Sequence, residues 1–220
     1  ERQGRILRRG GLPKEGARNL RREPGKDNHA LRKMYRGLPV YAELHQTDGE
    51  NSLNIELKEL CRDDGHEIYE MLQELPENEN GFMNPMFGKS FDEYTEWVEK
   101  CVADAEQTGI LDGWKVPQTT YWLYVDKTPV GYGKIRHLLT DKLFADGGTI
   151  GYAIRPSQRN NGFGKILLSE LVKKCPNLGI DRALLTIHED NISSINVALK
   201  NHGVIEKSSD DICHIWIECR

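Results

Sequence analysis

Residues 150–165 read IGYAIRPSQRNNGFGK and contain the most informative local pattern of the chain. An apolar run ends at Arg155-Pro156, polar residues follow, and Gly162 and Gly164 precede a helical pattern that continues to Lys174. This order predicts a strand, a loop and a helix. Glycines allow the backbone to approach a ligand closely, and the loop N–H groups and the helix start form an anion site beside a positive Arg159. We therefore predict that the loop binds a pyrophosphate.

Two other phosphate-binding patterns fail on the same residues. A dinucleotide fingerprint would require a third glycine where Leu167 stands. A P-loop would require glycine at the position of Arg159 and Ser or Thr at the position of Ile166. The pattern that remains is R-x-x-G-x-G over Arg159–Gly164. On these six residues alone, a left-handed turn before a helix is the alternative.

The rest of the chain predicts an α/β sheet after a basic arm. Residues 1–51 lack apolar periodicity, and we interpret them as a poorly ordered N-terminal arm preceding a domain at 52–220. Strands and helices alternate in that domain. One predicted strand starts near residue 53, and the other predicted strands cover residues 119–125, 130–137, 149–154, 183–187 and 212–218. The predicted helices cover residues 64–75, 91–107, 162–174 and 193–201. A polar loop is predicted at 77–90.

The composition of the chain argues against several kinds of partner and ligand. The net charge of −4 argues against nucleic-acid binding by the whole chain, although residues 1–36 carry a net charge of +8. No apolar run approaches the ~20 residues that a membrane span needs, so no membrane partner is expected. The five cysteines form no CxxC pair, which predicts no metal site and indicates reduced thiols in the cytoplasm.

Three segments in this order resemble the GNAT superfamily of acetyl-CoA-dependent N-acetyltransferases. They are Gly151–Pro156, Arg159–Gly164 and, some thirty residues downstream, Asp190–Ser194. Residues 116–122, 135–137 and 150–157 also look like a bacterial subfamily of predicted acetyltransferases. The resemblance implies a mixed, mostly antiparallel twisted sheet with flanking helices and splayed central strands. It implies direct transfer of the acetyl group of acetyl-CoA to an amine of an unidentified small molecule or peptide. A non-catalytic acyl-CoA-binding module is the alternative, and a homodimer stays open.

The resemblance also implies the cofactor contacts. Backbone groups of Tyr152–Ile154 would bind pantetheine, and the Ile154 N–H would polarise the thioester carbonyl. Asn191 would hydrogen-bond the pantetheine arm near Ser194, although an N-cap for the next helix is an equally sound role. The full set of implied cofactor-binding residues is Tyr152, Ala153, Ile154, Arg159, Asn160, Asn161, Gly162, Phe163, Gly164, Asn191 and Ser194.

Two family positions differ in this chain. Many relatives carry a Glu on the strand before Ile154, where this sequence has Gly148 and Thr149. Many also carry a Tyr in the helix after Asn191, about where Ala198 stands. The groups that transfer protons are therefore not assigned by the resemblance.

The reaction still requires a proton acceptor, because an alkylammonium with a pKa of ~10.4 is not nucleophilic at neutral pH. The candidates are His137, Asp146, His188 and Glu189. We place His137 first because its imidazole is mostly neutral in the cytosol, and Glu189 second because it follows a buried strand at the end of the sheet. A hydrogen-bonded structural histidine and a solvated loop carboxylate are the respective alternatives.

Overall fold

A computed structural model describes residues 53–107, 112–209 and 211–220, and of residues 207–209 only the backbone. The first sheet has the strand order β1-β4-β5-β6, in which every neighbouring pair is antiparallel. Its strands are β1 Ile55–Glu59, β4 Gln118–Val125, β5 Thr128–Arg136 and β6 Ile150–Ile154. Asp126 and Lys127 connect β4 to β5 in a two-residue turn with positive φ angles of 48° and 66°, the conformation that favours a tight hairpin.

The second sheet continues the first on the far side of β6. It has the order β7-β9-β8, again antiparallel, with strands β7 Arg182–His188, β8 Val204–Ser209 and β9 Ile212–Glu218. The antiparallel sheets and splayed central strands agree with the predicted fold class. A separate hairpin, formed by β2 Asn78–Glu79 and β3 Phe82–Met83, lies in the segment that we predicted to be a loop.

Five helices cover the two faces of these sheets within the described residues: α1 His66–Glu74, α2 Phe91–Glu106, α3 Asp141–Ala145, α4 Phe163–Lys174 and α5 Ile192–Lys200. One core joins α4 and α5 to the side chains of Tyr121, Leu123 and Ile135. The other joins α1 and α2 to those of Trp122 and Tyr132. The first sheet therefore separates an α4 face from an α1–α2 face. No described helix has both the length and the apolarity needed to cross a membrane.

The start of α1 differs from the prediction. The helix was predicted from residue 64, but it begins at His66, and Gly65, with no side chain to cap the helix, occupies the N-cap position. The Asp64 carboxylate instead accepts hydrogen bonds from the Trp122 indole at 2.6 Å and the Cys61 backbone at 3.0 Å. A long-range partner thus outcompetes the local cap. The sequence analysis did not predict α3 and β8, because these elements are short or weakly apolar. The predicted N-terminal arm lies outside the described residues.

Candidate active site

Strands β6 and β7 meet at one point and then separate. The Thr149 N–H donates to the Leu184 carbonyl at 2.7 Å, and the Leu184 N–H donates to Thr149 Oγ1 at 3.1 Å. Gly148 packs into this joint, because a Cβ there would lie 2.5 Å from the Leu184 oxygen. Its φ of +61° also favours glycine. Past the joint, β6 and β7 are edges of separate sheets in the described chain, so a splay opens between them.

The edge of β6 that faces the splay has backbone donors for which the described part of the chain offers no acceptor. On its other side, the Arg155 N–H donates to the Val130 carbonyl at 2.9 Å. Because neighbouring residues of a strand point their N–H groups in opposite directions, Gly151 and Ala153 also face β5. The N–H groups of Tyr152 and Ile154 therefore face the splay. These are the donors that the sequence comparison assigned to pantetheine and the thioester.

The loop after β6 leads into the N-terminus of α4. Asn160 and Gly162 adopt left-handed conformations, with φ angles of 64° and 77°, and Gly162 caps the helix. The N–H groups of the first two helical residues, Phe163 and Gly164, have no acceptor among the described residues and lie at the positive end of the helix dipole. A Cβ on Gly164 would meet Val197, Ile154 and Tyr152 at ordinary contact distances of 3.5–3.9 Å. Packing alone therefore does not require glycine at position 164, which leaves close approach of a ligand as a reason for it.

Two glutamate side chains from the α1–α2 face form ion pairs with arginines at the ends of this loop. Glu79 on the β2–β3 hairpin forms a two-pronged ion pair with Arg159, at 2.8 and 2.5 Å, and Arg159 Nε donates to the Ile154 carbonyl at 3.0 Å. The Arg159 guanidinium is thus engaged by protein groups.

At the end of α1, Glu74 binds both Arg155 and the Ser157 hydroxyl, the latter at 2.7 Å. The hydrogen bond from Arg155 is the main cause that lowers the pKa of Glu74 to about 2, and Ser157 adds to it. Two carboxylates therefore hold the loop from the same side.

The segment Asp190–Ser194, the third part of the resemblance, lies across the splay at the start of α5. Asn191 is the N-cap of that helix, as predicted, and its side-chain oxygen accepts from the Ser194 N–H at 3.2 Å. The buried hydroxyl of Tyr152 lies beside Ser194, and burial raises the pKa of Tyr152 to about 12 while the Ser194 contact opposes the shift. Strand β6 and the start of α5, about 40 residues apart in sequence, thus meet beside the open edge of β6.

The two leading proton-acceptor candidates lie apart in the fold. His137 follows β5, one residue beyond the Arg136–Thr149 backbone hydrogen bond at the joint, and its Nε2 lies 2.8 Å from Thr119 Oγ1. Burial lowers the pKa of His137. Glu189 follows β7 on the other sheet, where its N–H donates to the Asp211 carbonyl at 2.9 Å.

The other two candidates are exposed. Asp146 ends α3 as its C-cap, and His188 is the last residue of β7. A Cβ on Gly81, in the turn of the β2–β3 hairpin, would lie 4.0 Å from His188 Nε2. The hairpin therefore reaches the end of β7.

One residue that the sequence argument missed lies on the α1–α2 face of the splay. Lys134 pairs with Gly151 across β5 and β6, and its ammonium lies 4.6 Å from the ring centroid of Phe82 and 5.8 Å from that of Tyr132. Burial, followed by the nearby Arg136 charge, lowers the pKa of Lys134 to about 7. The available signal was a lysine that follows the apolar run of residues 129–133 within one strand.

A sequence model of the acetyltransferase (GNAT) family matches residues 81–204, the span from the hairpin turn to β8. The chain belongs to the GNAT acetyltransferase family. It is therefore an acyltransferase by family. Among curated proteins, none matches the chain in sequence.

Solved structures show the same GNAT fold at low sequence identity. An acetyltransferase of the GNAT family from Streptococcus pneumoniae is 15% identical, with a TM-score of 0.51 over 76% of this chain and 100% of that one. The N-acetyltransferase PseH of Campylobacter jejuni in complex with acetyl coenzyme A is 13% identical, with a TM-score of 0.50 over 76% and 100%. A dodecameric spermidine N-acetyltransferase from Vibrio cholerae is 15% identical, with a TM-score of 0.50 over 74% and 93%.

The geometry explains why this GNAT protein lacks a glutamate at the start of β6. Gly148 has no room for a side chain beside the Leu184 carbonyl, and the Thr149 hydroxyl is buried and bonded to the Leu184 N–H. Ala198 is likewise buried in the α4-side core, with no polar group to donate. A proton acceptor for this protein must therefore come from another element.

Proposed function

We propose that the protein transfers the acetyl group of acetyl-CoA directly to an amine acceptor. The observation that carries the proposal is a set of backbone N–H groups that have no acceptor among the described residues: those of Tyr152 and Ile154 on the open edge of β6, and those at the first two positions of α4. The strand N–H groups of Tyr152 and Ile154 suit the amide and thioester carbonyls of acetyl-CoA. The first turn of α4 suits its pyrophosphate.

The remaining contacts of the proposed cofactor site come from the loop and from α5. The backbone of Asn160–Gly164 would surround the pyrophosphate, and the Asn191 amide group, whose oxygen caps α5, still has N–H donors for pantetheine. Bound acetyl-CoA supplies an acyl group on a thiolate leaving group. The chain would orient the thioester carbonyl and exclude water from it.

A direct transfer is favoured over an acyl-cysteine route. Cys101, Cys175, Cys213 and Cys219 are buried thiols, and burial raises the pKa of Cys101 to about 12. A hydrogen bond from Cys175 lowers the pKa of Cys219, but that thiol is buried beside Cys175 in the core on the α4 face. Cys61 is exposed, but partial desolvation of its thiol and the charges of the neighbouring aspartates raise its pKa as well. A thiol nucleophile requires a lowered pKa or an adjacent base. We therefore propose transfer within a ternary complex of protein, acetyl-CoA and amine, in a reducing cytoplasmic setting that suits free cysteines.

Acetyl-CoA binding and turnover are separate tests. Acetyl-CoA at ~100 times its dissociation constant should stabilise the fold by about 2.7 kcal/mol, which is visible as a rise in melting temperature. Absence of that rise at millimolar acetyl-CoA contradicts the cofactor site. Release of free CoA is then measured with a panel of small amines, amino sugars, polyamines and peptides.

The panel also tests the second candidate, a non-catalytic acyl-CoA-binding module. The specific observation in its favour is that Gly148 and Ala198 offer no group for proton transfer. Binding of acetyl-CoA without CoA release on any amine supports the module. Release with one class of amine supports the transferase and identifies the acceptor class.

A further inference from the structure

The α1–α2 side of the splay contains a lysine whose surroundings differ from those of an ordinary surface lysine. The stem of Lys134 crosses over the β6 backbone, because a Cβ on Gly151 would lie 3.2 Å from Lys134 Cε and 3.5 Å from the Phe82 ring. Lys134 is partly buried, and within the described residues no carboxylate forms an ion pair with it. The charged side chain that acts on it most strongly is a second cation, Arg136.

Lys58 on β1 provides an internal comparison. Its ammonium also lies over an aromatic ring, 4.3 Å from the centroid of Tyr124. However, half of its side chain is exposed and Glu56 lies 3.5 Å from its nitrogen. The ring contact is therefore common to both lysines, whereas the position over β6 and the missing carboxylate distinguish Lys134.

We propose that Lys134 is the proton acceptor for the amine in the acetyl transfer, a role that rests on the proposed function. Neutral Lys134 Nζ takes one proton from the acceptor ammonium, and the free amine attacks the thioester carbonyl carbon. The C–N bond forms, the C–S bond breaks, and the CoA thiolate leaves with the second proton of the attacking nitrogen. Lys134 then returns its proton to water.

The surroundings of Nζ permit both protonation states. Burial and the Arg136 charge disfavour the ammonium, while the electron-rich faces of Phe82 and Tyr132 stabilise it. Cys101, on α2, is the other titratable group that acts on Lys134, and a thiolate there would raise the lysine pKa. A pKa of about 7 lets Lys134 accept a proton at neutral pH and release it again.

The position of Lys134 places the base on the strand pair that binds the thioester. Gly151, which it crosses, immediately precedes Tyr152, whose N–H faces the splay. Phe82 belongs to the hairpin that reaches from this point to the end of β7, so the lysine lies beneath the hairpin, on the face opposite α4. An acceptor that binds on this face would lie beside Lys134 and next to the strand segment that holds the thioester.

The titration of Lys134 can be measured without knowing the acceptor. We propose NMR of the full chain labelled with ¹³C at lysine, with the Lys134 signal assigned by its loss in Lys134→Arg. The expected result is a titration midpoint within about one unit of 7 and a shifted signal when acetyl-CoA is saturating. A midpoint near the usual ~10.4, or a signal that does not respond to bound acetyl-CoA, overturns the proposal.

Two small nucleophiles then separate a base from a structural lysine. Hydroxylamine is mostly neutral at neutral pH, whereas methylamine is an ammonium that must lose a proton. Lys134→Met should lower CoA release with methylamine ~100-fold or more while changing the rate with hydroxylamine less than about threefold. Lys134→Arg should behave like Lys134→Met, and Lys58→Met should behave like the parent.

The controls distinguish this proposal from the proposed function. Acetyl-CoA affinity, measured by calorimetry, should be equal in all four proteins. If the parent binds no acetyl-CoA, or releases no CoA with these two nucleophiles or with any amine of the panel, the transferase proposal fails, and the lysine titration reports independently on Lys134. Equal losses with both nucleophiles, or no loss with methylamine, overturn the role of Lys134 alone.

Discussion

The two faces of β6 are built in different ways. On the α4 face, Tyr152 and Ile154 adjoin a loop and helix that follow them directly in sequence, and only α5 is added from farther away. On the α1–α2 face, Gly151 adjoins Lys134 and Phe82, which come from β5 and from the β2–β3 hairpin. The first face is a local motif, and the second is a product of the tertiary fold. A short segment of sequence is therefore enough to form most of the α4 face, whereas the α1–α2 face depends on several separate segments.

The joint at Gly148 supports both faces, so its substitution should have the largest effect. Gly148→Ala should lower the free energy of unfolding by about 3 kcal/mol, because the methyl group strains a left-handed residue and overlaps the Leu184 carbonyl. Urea unfolding measures this change. Gly88→Ala is the matched control, since Gly88 has a φ of +70° but nothing within 4 Å of its Cβ position. A similar, small loss of about 1 kcal/mol in both variants would mean that the joint adjusts freely.

The second prediction separates the α4 face from fold stability. Gly164→Ala should weaken acetyl-CoA binding about tenfold to a hundredfold, because a methyl group blocks approach of phosphate to the helix backbone. It should not lower the unfolding free energy, because the new Cβ has ordinary contacts and alanine favours the helix by about 1 kcal/mol. Calorimetry with acetyl-CoA and urea unfolding measure the two effects. Gly162 is unsuitable for this purpose, since its left-handed φ also requires glycine.

An unchanged affinity in Gly164→Ala would contradict the pyrophosphate site while leaving Lys134 untouched. A fall in both affinity and stability would show that Gly164 serves packing. The two faces can thus be tested independently.

The contrast between the faces also explains what sequence could predict. The strand, the loop and the helix of residues 150–165 were predicted correctly, because hydrophobic periodicity and glycines act over a few residues. The Asn191 cap was predictable for the same reason. The interaction of Lys134 with Phe82 spans 52 positions of sequence, and no local pattern indicates it. The only sequence signal was the lysine within a buried strand.

The Arg159 side chain illustrates the same limit. Its place in the loop motif was evident from sequence, yet its ion pair with Glu79 depends on a hairpin 80 residues away. The hairpin itself was predicted to be a loop, since two-residue strands have too few residues for a period to be recognised.

The third prediction concerns the connection between the two faces. Glu74 on α1 binds Arg155 and Ser157, and its lowered pKa means that it stabilises the fold above its unfolded pKa of ~4.3. That contribution is lost as the pH falls from about 4.5 through about 2. Since the Glu74 side chain is about one-third exposed, with 35% accessible, we expect only about 1–2 kcal/mol.

Unfolding free energies of Glu74→Gln and the parent should therefore differ at neutral pH and converge near pH 2. The exposed pair of Arg62 and Glu99 supplies the control, because Glu99→Gln should change stability by less than about 0.5 kcal/mol at any pH. A constant difference between Glu74→Gln and the parent across this pH range would contradict the ion-pair explanation.

The smallest effect is expected for His137, the first proton-acceptor candidate from sequence. His137 lies four residues beyond Gly133, the partner of Tyr152, which corresponds to about 13 Å along the strand. Its Nε2 is engaged by Thr119, and burial lowers its pKa. If Lys134 accepts the proton, His137→Ala should change turnover with methylamine less than about threefold and leave the pH–rate profile in place. Loss of at least tenfold, together with loss of an activity limb between about pH 6 and 7, would instead return the role to the histidine. Thr119→Val is the informative companion, since it removes the hydroxyl partner and retains the imidazole. A rate change in His137→Ala that Thr119→Val reproduces indicates a structural contact between β4 and the end of β5, because the base itself is intact in the second variant.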